Sequence, residues 1–214
     1  LLVNFKAAYF HFYPADNGKS VVVKSDPELP NLRIQNNLKL SNARCGGFQR
    51  GIAINILQGQ KKDRVSFDGR YSRHCGHYVM SRTVLTQHTY TFGVFLSLWQ
   101  QLGGSISGTV RKGLAPIDRK PVISWQSRPL GELIRLVNKF SNNVMTRQLL
   151  LTLAAQSKNI PATVENGRIF INDYLQGHGI DTASLNLVNG AGLSRDVRVS
   201  AHLMADTLLH ADSI

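Results

Sequence analysis

The apolar residues of this chain change their spacing partway along it, and that change narrows the possible folds more than any other feature. Up to about residue 89, apolar and polar residues alternate in short runs such as Val3–Tyr9, Ser20–Val23 and Gly51–Leu57, a pattern that predicts β-strands. Beyond Thr89 the apolar residues recur at helical spacing, first in Phe92–Leu102. We therefore predict an α+β fold in which a β-rich part precedes a helix-rich part.

Capping residues and glycine ends mark further elements in the second part. The predicted elements are helices from Pro129, from Ser141, over about 163–176 and from Ser200, and short strands at 106–110 and 185–188. Pro116 and Pro121 lie in a charged stretch between the two parts. The composition therefore predicts two regions, residues 1–115 and 116–214.

The chain has 214 residues and a formal net charge of +12, concentrated in its first region. Residues 1–115 carry 15 Lys or Arg against 5 Asp or Glu, most densely between Arg44 and Arg82, whereas residues 116–214 carry 10 against 8. Such a surplus attracts nucleic acid, a membrane surface or an anionic polymer, and a solvated basic surface is the alternative. No nucleic-acid motif is present, so no specific nucleic-acid binding is expected. No apolar run reaches the roughly 20 residues of a transmembrane segment.

Cys45 and Cys75 each lie beside a predicted strand, and a disulfide between them is the first prediction. A metal site that includes His74 and His77, or a pair of free thiols, remain as alternatives. Adjacent His74 and Cys75 make an awkward pair of ligands, so no metal or other cofactor is expected. A disulfide suits an exported protein, although the first residues show no signal peptide.

Two polar segments of the second region could carry chemistry. Lys139–Asn143 reads Lys-Phe-Ser-Asn-Asn and lies at a predicted junction of two helices. A helix N-cap explains one of its polar residues, but a hydroxyl beside a lysine can also pass protons, and an amide can hold a substrate carbonyl. The second segment, Asn189–Arg195, is a glycine turn that places an arginine where it could pair with a ligand carboxylate.

Both segments resemble the class C low-molecular-mass penicillin-binding proteins, the D-alanyl-D-alanine carboxypeptidase/endopeptidases of the penicillin-binding protein 4 type (peptidase S13 family). Ser141–Asn143 is similar to the Ser-x-Asn motif of that family. Asn189–Arg195 is similar to its Asp-Gly-Ser-Gly-Leu-Ser-Arg element, except at Asn189 and Ala191. The resemblance implies that residues 1–115 are part of a β-rich inserted accessory domain. It also implies that residues 116–214 are the middle of a penicillin-recognising, transpeptidase-like catalytic domain.

The resemblance implies a periplasmic hydrolase that acts on peptidoglycan stem peptides and, as the full-length protein, binds β-lactams. A serine of a Ser-x-x-Lys motif would attack the D-Ala-D-Ala peptide carbonyl and form an acyl-enzyme, which water hydrolyses. By the same resemblance, Ser141 would relay the proton to the leaving amine and Asn143 would bind the substrate amide. Leu193 and Arg195 would line the pocket for the side chain of the stem peptide.

The sequence contains neither Ser-x-x-Lys nor Lys-Thr-Gly, the other two motifs of that family. We therefore expect a fragment of a longer enzyme that is inactive by itself. A non-catalytic cell-wall-binding module of the same fold is the alternative. A basic nucleic-acid-binding protein is a third hypothesis, which rests on the charge alone.

Overall fold

The computed structural model describes residues 2–57, 63–114, 116–156 and 162–214. It divides into two compact units, Leu1–Arg119 and Lys120–Ile214. Sheets form the first unit together with one helix, whereas helices form the second unit, and this confirms the predicted α+β fold. We keep as a prediction the assignment of the first region to an accessory domain and of the second to a catalytic domain. Lys61 and Lys62 of the basic stretch lie outside the described residues.

The described residues of the first unit form two three-stranded sheets. Its strands are β1 (Ala8–Pro14), β2 (Val21–Asp26), β3 (Leu32–Ser41), β4 (Ile52–Leu57), β5 (Asp63–Ser72) and β6 (Tyr78–Arg82), followed by helix α1 (Gln87–Gln101). The first sheet has the antiparallel order β2-β1-β6. The second sheet has the order β3-β5-β4, with β3 parallel and β4 antiparallel to β5.

Aromatic side chains from both sheets meet in the core of the first unit. The ring of Phe67 on β5 lies edge-on to Phe10 and Phe12 on β1, with ring centres 4.9 and 5.0 Å apart. The hydroxyl of Tyr71 donates to the carbonyl of Gly76 at 3.0 Å, so this buried polar group is satisfied. Tyr90 of α1 donates to the carbonyl of Ala7 at 2.8 Å and ties the helix to the start of the first sheet.

A disulfide joins Cys45, which precedes β4, to Cys75, which follows β5. Because the two sulfurs are bonded to each other, neither thiolate is left to bind a metal, and the alternative of free thiols does not hold. The described residues also contain no group of three His, Cys, Asp or Glu side chains that could hold a metal ion.

The second unit contains four helices in its described residues: α2 (Leu130–Lys139), α3 (Asn143–Gln156), α4 (Val164–Gly177) and α5 (Ala201–Asp212). Thr163 caps α4 and Ser200 caps α5, each accepting a backbone N–H in the first turn. Across the two units, no helix in the described ranges has the length and apolar character needed to cross a bilayer.

Four predicted elements differ from the structure. Of the strand expected over Val3–Tyr9, residues Asn4–Lys6 form a 3₁₀ turn and β1 begins at Ala8. The strand expected at 106–110 is absent, because this exposed segment has no partner strand among the described residues. The strand expected at 185–188 is reduced to a single bridge between Asn186 and Arg198. Helix α3 begins at Asn143 and not at Ser141. Conversely, β3 was not expected, because Gln35-Asn36-Asn37 interrupts its apolar alternation.

Candidate functional site

The junction between α2 and α3 places Ser141 in an uncommon backbone conformation. The N–H of Asn142 donates to the carbonyl of Val137 at 3.0 Å, and the N–H of Ser141 donates to that of Asn138 at 3.3 Å. These two bonds form a Schellman motif, which requires a left-handed residue at the position of Ser141. Ser141 accordingly has φ +49°, at a cost of about 1 kcal/mol compared with glycine.

The middle residue of the Ser-x-Asn segment caps the next helix. The Oδ1 atom of Asn142 accepts the N–H of Met145 at 3.1 Å, and its carbonyl accepts the N–H of Thr146 at 3.0 Å. The N-cap explanation therefore applies to Asn142 alone. Ser141 is the left-handed residue that follows α2, and Asn143 is the first residue of α3, so neither side chain acts as an N-cap.

Ser141 and Asn143 keep their side-chain polar groups for other partners. Within the described ranges, neither the hydroxyl of Ser141 nor the amide of Asn143 forms a hydrogen bond with another residue. Ser141 is exposed and Asn143 is half-buried. Lys139 is also exposed, and its Nζ lies 5.9 Å from the ring centre of Phe140. A hydroxyl, an amide and an ammonium group are thus presented at one helix junction, where they can exchange protons and hydrogen bonds with a ligand.

The second predicted segment lies in a loop that is closed at its base. Asn186 and Arg198 exchange two backbone hydrogen bonds of 2.8 and 3.1 Å, and the side-chain amide of Asn186 donates to the carbonyl of Asp196 at 2.7 Å. Inside the loop, the Oδ1 atom of Asn189 accepts the N–H of Ala191 at 2.9 Å. An aspartate could accept the same bond, so Asn189 keeps the turn-forming role of the residue that the family usually has there.

The glycine turn of this loop packs on α3, close to the Ser-x-Asn segment. Gly190 has φ +73°, and a Cβ atom there would lie 3.6 Å from the Cβ of Leu150 and 3.8 Å from the carbonyl of Thr146. Leu150 is 3% exposed. A Cβ atom on Gly167 of α4 would likewise come within 2.7 Å of the Leu150 carbonyl. Leu150 therefore joins α3, α4 and the turn.

The structure brings the Ser-x-Asn junction and the turn at 189–192 to the same helix, whereas the side chain of Arg195 has no hydrogen-bond or ion-pair partner among the described residues. Leu193 is 74% exposed, and Arg195 is also exposed. In the described part of the chain, no hydrogen bond or ion pair connects Leu193 or Arg195 with Ser141 or Asn143. The sequence did not reveal Leu150 as the residue that joins these segments. The small residues Gly167 and Gly190 were a signal of close packing, but not of which residue they contact.

Known proteins resemble this chain over part of their length. It is 32% identical over 114 residues to a D-alanyl-D-alanine carboxypeptidase of Actinomadura sp. (strain R39), covering 52% of this chain and 21% of that protein. It is 25% identical over 146 residues to D-alanyl-D-alanine carboxypeptidase DacB of Haemophilus influenzae, covering 68% of this chain and 30% of that protein. The chain therefore spans less than one third of either relative.

A solved structure shares the fold. Penicillin-binding protein 4 (dacB) of Haemophilus influenzae, in complex with a β-lactam, matches with a TM-score of 0.70 at 19% identity, over 99% of this chain and 48% of that one. The sequence profile of one family covers nearly the whole chain, from residue 2 to residue 213. Together with the Ser-x-Asn and Gly-Leu-Ser-Arg segments, this match confirms the predicted relationship: the chain belongs to the D-Ala-D-Ala carboxypeptidase 3 (S13) family.

Proposed function

We propose that this chain is part of a periplasmic serine-type D-Ala-D-Ala carboxypeptidase/endopeptidase that acts on peptidoglycan stem peptides. The observation that carries the proposal is the helix junction at Ser141 and Asn143, whose side chains have no hydrogen-bond partner among the described residues. Membership of the S13 family supports the substrate class, because both curated relatives are D-alanyl-D-alanine carboxypeptidases.

In this mechanism a serine outside this chain attacks the carbonyl carbon of the penultimate D-alanine. The peptide C–N bond breaks, an ester forms on the serine, and the terminal D-alanine leaves as an amine that must gain a proton. Ser141 passes that proton through its hydroxyl, which is exposed at the end of α2. Water then hydrolyses the ester, releasing the shortened peptide and regenerating the serine.

Asn143 and the loop at 186–198 position the substrate. The amide of Asn143 can donate to a substrate carbonyl and accept from a substrate N–H, which holds the peptide in an extended conformation. Leu193 offers an apolar contact to the stem-peptide side chain, and Arg195 offers a cation to a carboxylate on it. In the full-length protein, β-lactams occupy the same site, as the solved relative was crystallised with one.

In the proposed enzyme, a Ser-x-x-Lys motif has to supply the nucleophile, and a Lys-Thr-Gly motif has to complete the site around the substrate. This sequence contains neither motif. The same observation favours a second candidate function, a cell-wall-binding module that has the fold but no nucleophile. The protein sequence that the gene encodes on either side of this chain discriminates between the two candidate functions. The presence of both motifs indicates the enzyme, and their absence indicates the binding module.

The catalytic proposal is tested in the natural polypeptide, encoded by one gene, that contains this chain together with both motifs. We expect Ser141→Ala to lower kcat for D-alanine release by about 10²- to 10⁴-fold, the usual contribution of a positioned proton-transfer group. We expect Ser127→Ala, at an exposed serine of the same unit, to leave kcat unchanged. Both variants are assayed by D-alanine release and by the rate of acylation with a fluorescent penicillin. Equal kcat for Ser141→Ala and the unmodified enzyme would rule out the proton-relay role.

A further inference from the structure

The outward face of the second sheet in the first unit is polar along β3 and β5, and Asn55 on β4 adds one further polar residue. Side chains alternate between the two faces of a strand, and the inward residues Val65, Phe67 and Tyr71 of β5 are buried. We call the opposite side the amide face. Its residues are Arg33, Gln35, Asn37 and Lys39 on β3, Arg64, Ser66, Asp68 and Arg70 on β5, and Ala53, Asn55 and Leu57 on β4.

Pairs of like charge lie at both ends of the amide face. The parallel register of β3 and β5 sets Arg33 beside Arg64 and Lys39 beside Arg70. Like charges on adjacent positions of a sheet are destabilising unless an anion lies between them. All four side chains are exposed, and none has an ion-pair partner among the described residues. Each end of the face is therefore ready to receive an anionic group.

Hydrogen bonds across three strands organise the middle of the amide face. The carboxylate of Asp68 accepts the Nδ2 of Asn37 at 2.7 Å, the hydroxyl of Ser66 at 3.0 Å and the Nδ2 of Asn55 at 3.3 Å. The hydrogen bond from Asn37 is the largest cause that holds the pKa of Asp68 below its ordinary value. The carboxylate thus stays charged and fixes both amides, whose remaining polar atoms can bind hydroxyl groups.

We infer that the amide face is a docking surface for an anionic glycan, a sugar polymer that carries carboxylate groups. The charge of the ligand complements the four cations, and its hydroxyls suit the amide array between them. The two cationic pairs are six positions apart along each strand, a distance of about 20 Å at the usual rise per residue, so the polymer lies along the strands.

Two other polyanions fit this surface less well. Single-stranded nucleic acids bind through stacking on aromatic side chains, and none of the residues of the amide face is aromatic. A lipid surface is bound by basic residues around an apolar area, whereas the apolar residues of this face, Ala53 and Leu57, are confined to the strand β4 at its edge. Binding at this face requires no catalysis, so it does not depend on the function proposed above.

Binding of the 214-residue chain to polygalacturonate, an anionic glycan, tests the inference. We expect calorimetric titration to show binding to polygalacturonate and none to dextran, a neutral glycan. The fourfold variant R33Q/R64Q/K39Q/R70Q should bind polygalacturonate at least about tenfold more weakly, because four exposed charge contacts are lost. Its folding is checked by thermal unfolding, which should occur no lower than in the unmodified chain because two repulsive pairs are removed.

A matched variant controls for general charge attraction. K19Q/K24Q/R44Q/R111Q removes the same number of exposed cations of the first unit from outside the amide face, and its affinity should stay within about threefold of the unmodified value. An equal loss of affinity in both variants would show a non-specific polycation and overturn the inference. Tighter binding of a short oligonucleotide, or of phosphatidylglycerol vesicles, than of polygalacturonate would also overturn it.

The substitution Asp68→Asn distinguishes binding through the hydrogen-bonded array of Asn37, Asn55 and Asp68 from attraction by net charge alone. It makes the face more positive, so general attraction alone would strengthen binding to every polyanion. If the array positions the glycan, loss of the carboxylate frees Asn37 and Asn55 and weakens binding to polygalacturonate, while binding of the oligonucleotide rises. Stronger binding to both would contradict the inference.

Discussion

Ser141 has a left-handed backbone at a position where helices usually end in glycine. The proton relay proposed for its hydroxyl would explain why a residue with a side chain stands in that conformation. We expect Ser141→Gly to raise the free energy of unfolding by about 1 kcal/mol, and Ser141→Val to lower it by at least as much. Urea denaturation measures both changes. Equal stability of the serine and valine proteins would contradict the strain.

The phenol of Tyr71 makes the stability of the first unit depend on pH in the alkaline range. Burial is the main reason why the pKa of its phenol is raised above the ordinary value of 10.0. Because the folded chain holds the proton more tightly, the stabilisation is complete below the unfolded pKa and is lost as pH rises through the folded pKa. We expect the unmodified chain to lose more stability between pH 9 and pH 11 than Tyr71→Phe does. Urea denaturation at several pH values measures this, and parallel curves would contradict it.

At the scale of the elements, α3 and α4 approach each other closely at Gly167. A Cβ atom there would lie 2.7 Å from the carbonyl of Leu150 and 2.9 Å from its side chain. We expect Gly167→Ala to lower the free energy of unfolding by about 1–3 kcal/mol, although alanine favours helix formation. Gly131→Ala is the control, because a Cβ atom on this α2 glycine meets nothing within 4 Å and should not destabilise. A stabilising effect of Gly167→Ala in urea denaturation would show that the helices can separate without cost.

The disulfide between Cys45 and Cys75 connects the segments that flank β4 and β5. The two cysteines are 30 residues apart, and closing a loop of that length stabilises a fold by roughly 3–4 kcal/mol. We expect the double variant Cys45→Ala/Cys75→Ala to unfold at a correspondingly lower urea concentration. Intact-mass measurement of the unmodified chain should show a gain of two hydrogens on reduction, and an unchanged mass would exclude the bond.

At the scale of the whole chain, the missing motifs lead to a clear expectation. A D-Ala-D-Ala peptidase of this kind needs an activated serine, and neither Ser-x-x-Lys nor Lys-Thr-Gly occurs in the 214 residues. We expect the isolated chain to remain unlabelled by a fluorescent penicillin and to release no D-alanine from a stem peptide. Covalent labelling, located by peptide mass mapping, would reveal a nucleophile that the motifs do not predict.

The secondary structure was predictable where one residue pattern decides it. The amphipathic run Leu130–Lys139 and the capped run Val164–Gly177 form helices largely as expected. The pattern failed at β3 and at residues 106–110, where the formation of a strand depends on a partner. Parallel pairing with β5 makes a strand of the polar residues Gln35-Asn36-Asn37. Residues Ile106–Val110 form no strand, because no partner strand lies beside them among the described residues.

The sequence by itself determined the family, the α+β class and the identity of the polar segments, because these depend on motifs and on local periodicity. Only the tertiary structure decided that Ser141 ends a helix in a left-handed conformation, that Leu150 holds the glycine turn against α3, and that the excess charge of β3 and β5 shares one face. The last two depend on contacts between residues distant in sequence, whereas the first depends on the local hydrogen bond from Asn142 to Val137. The spacing of residues along the chain does not record such contacts, since chain folding alone brings their side chains together.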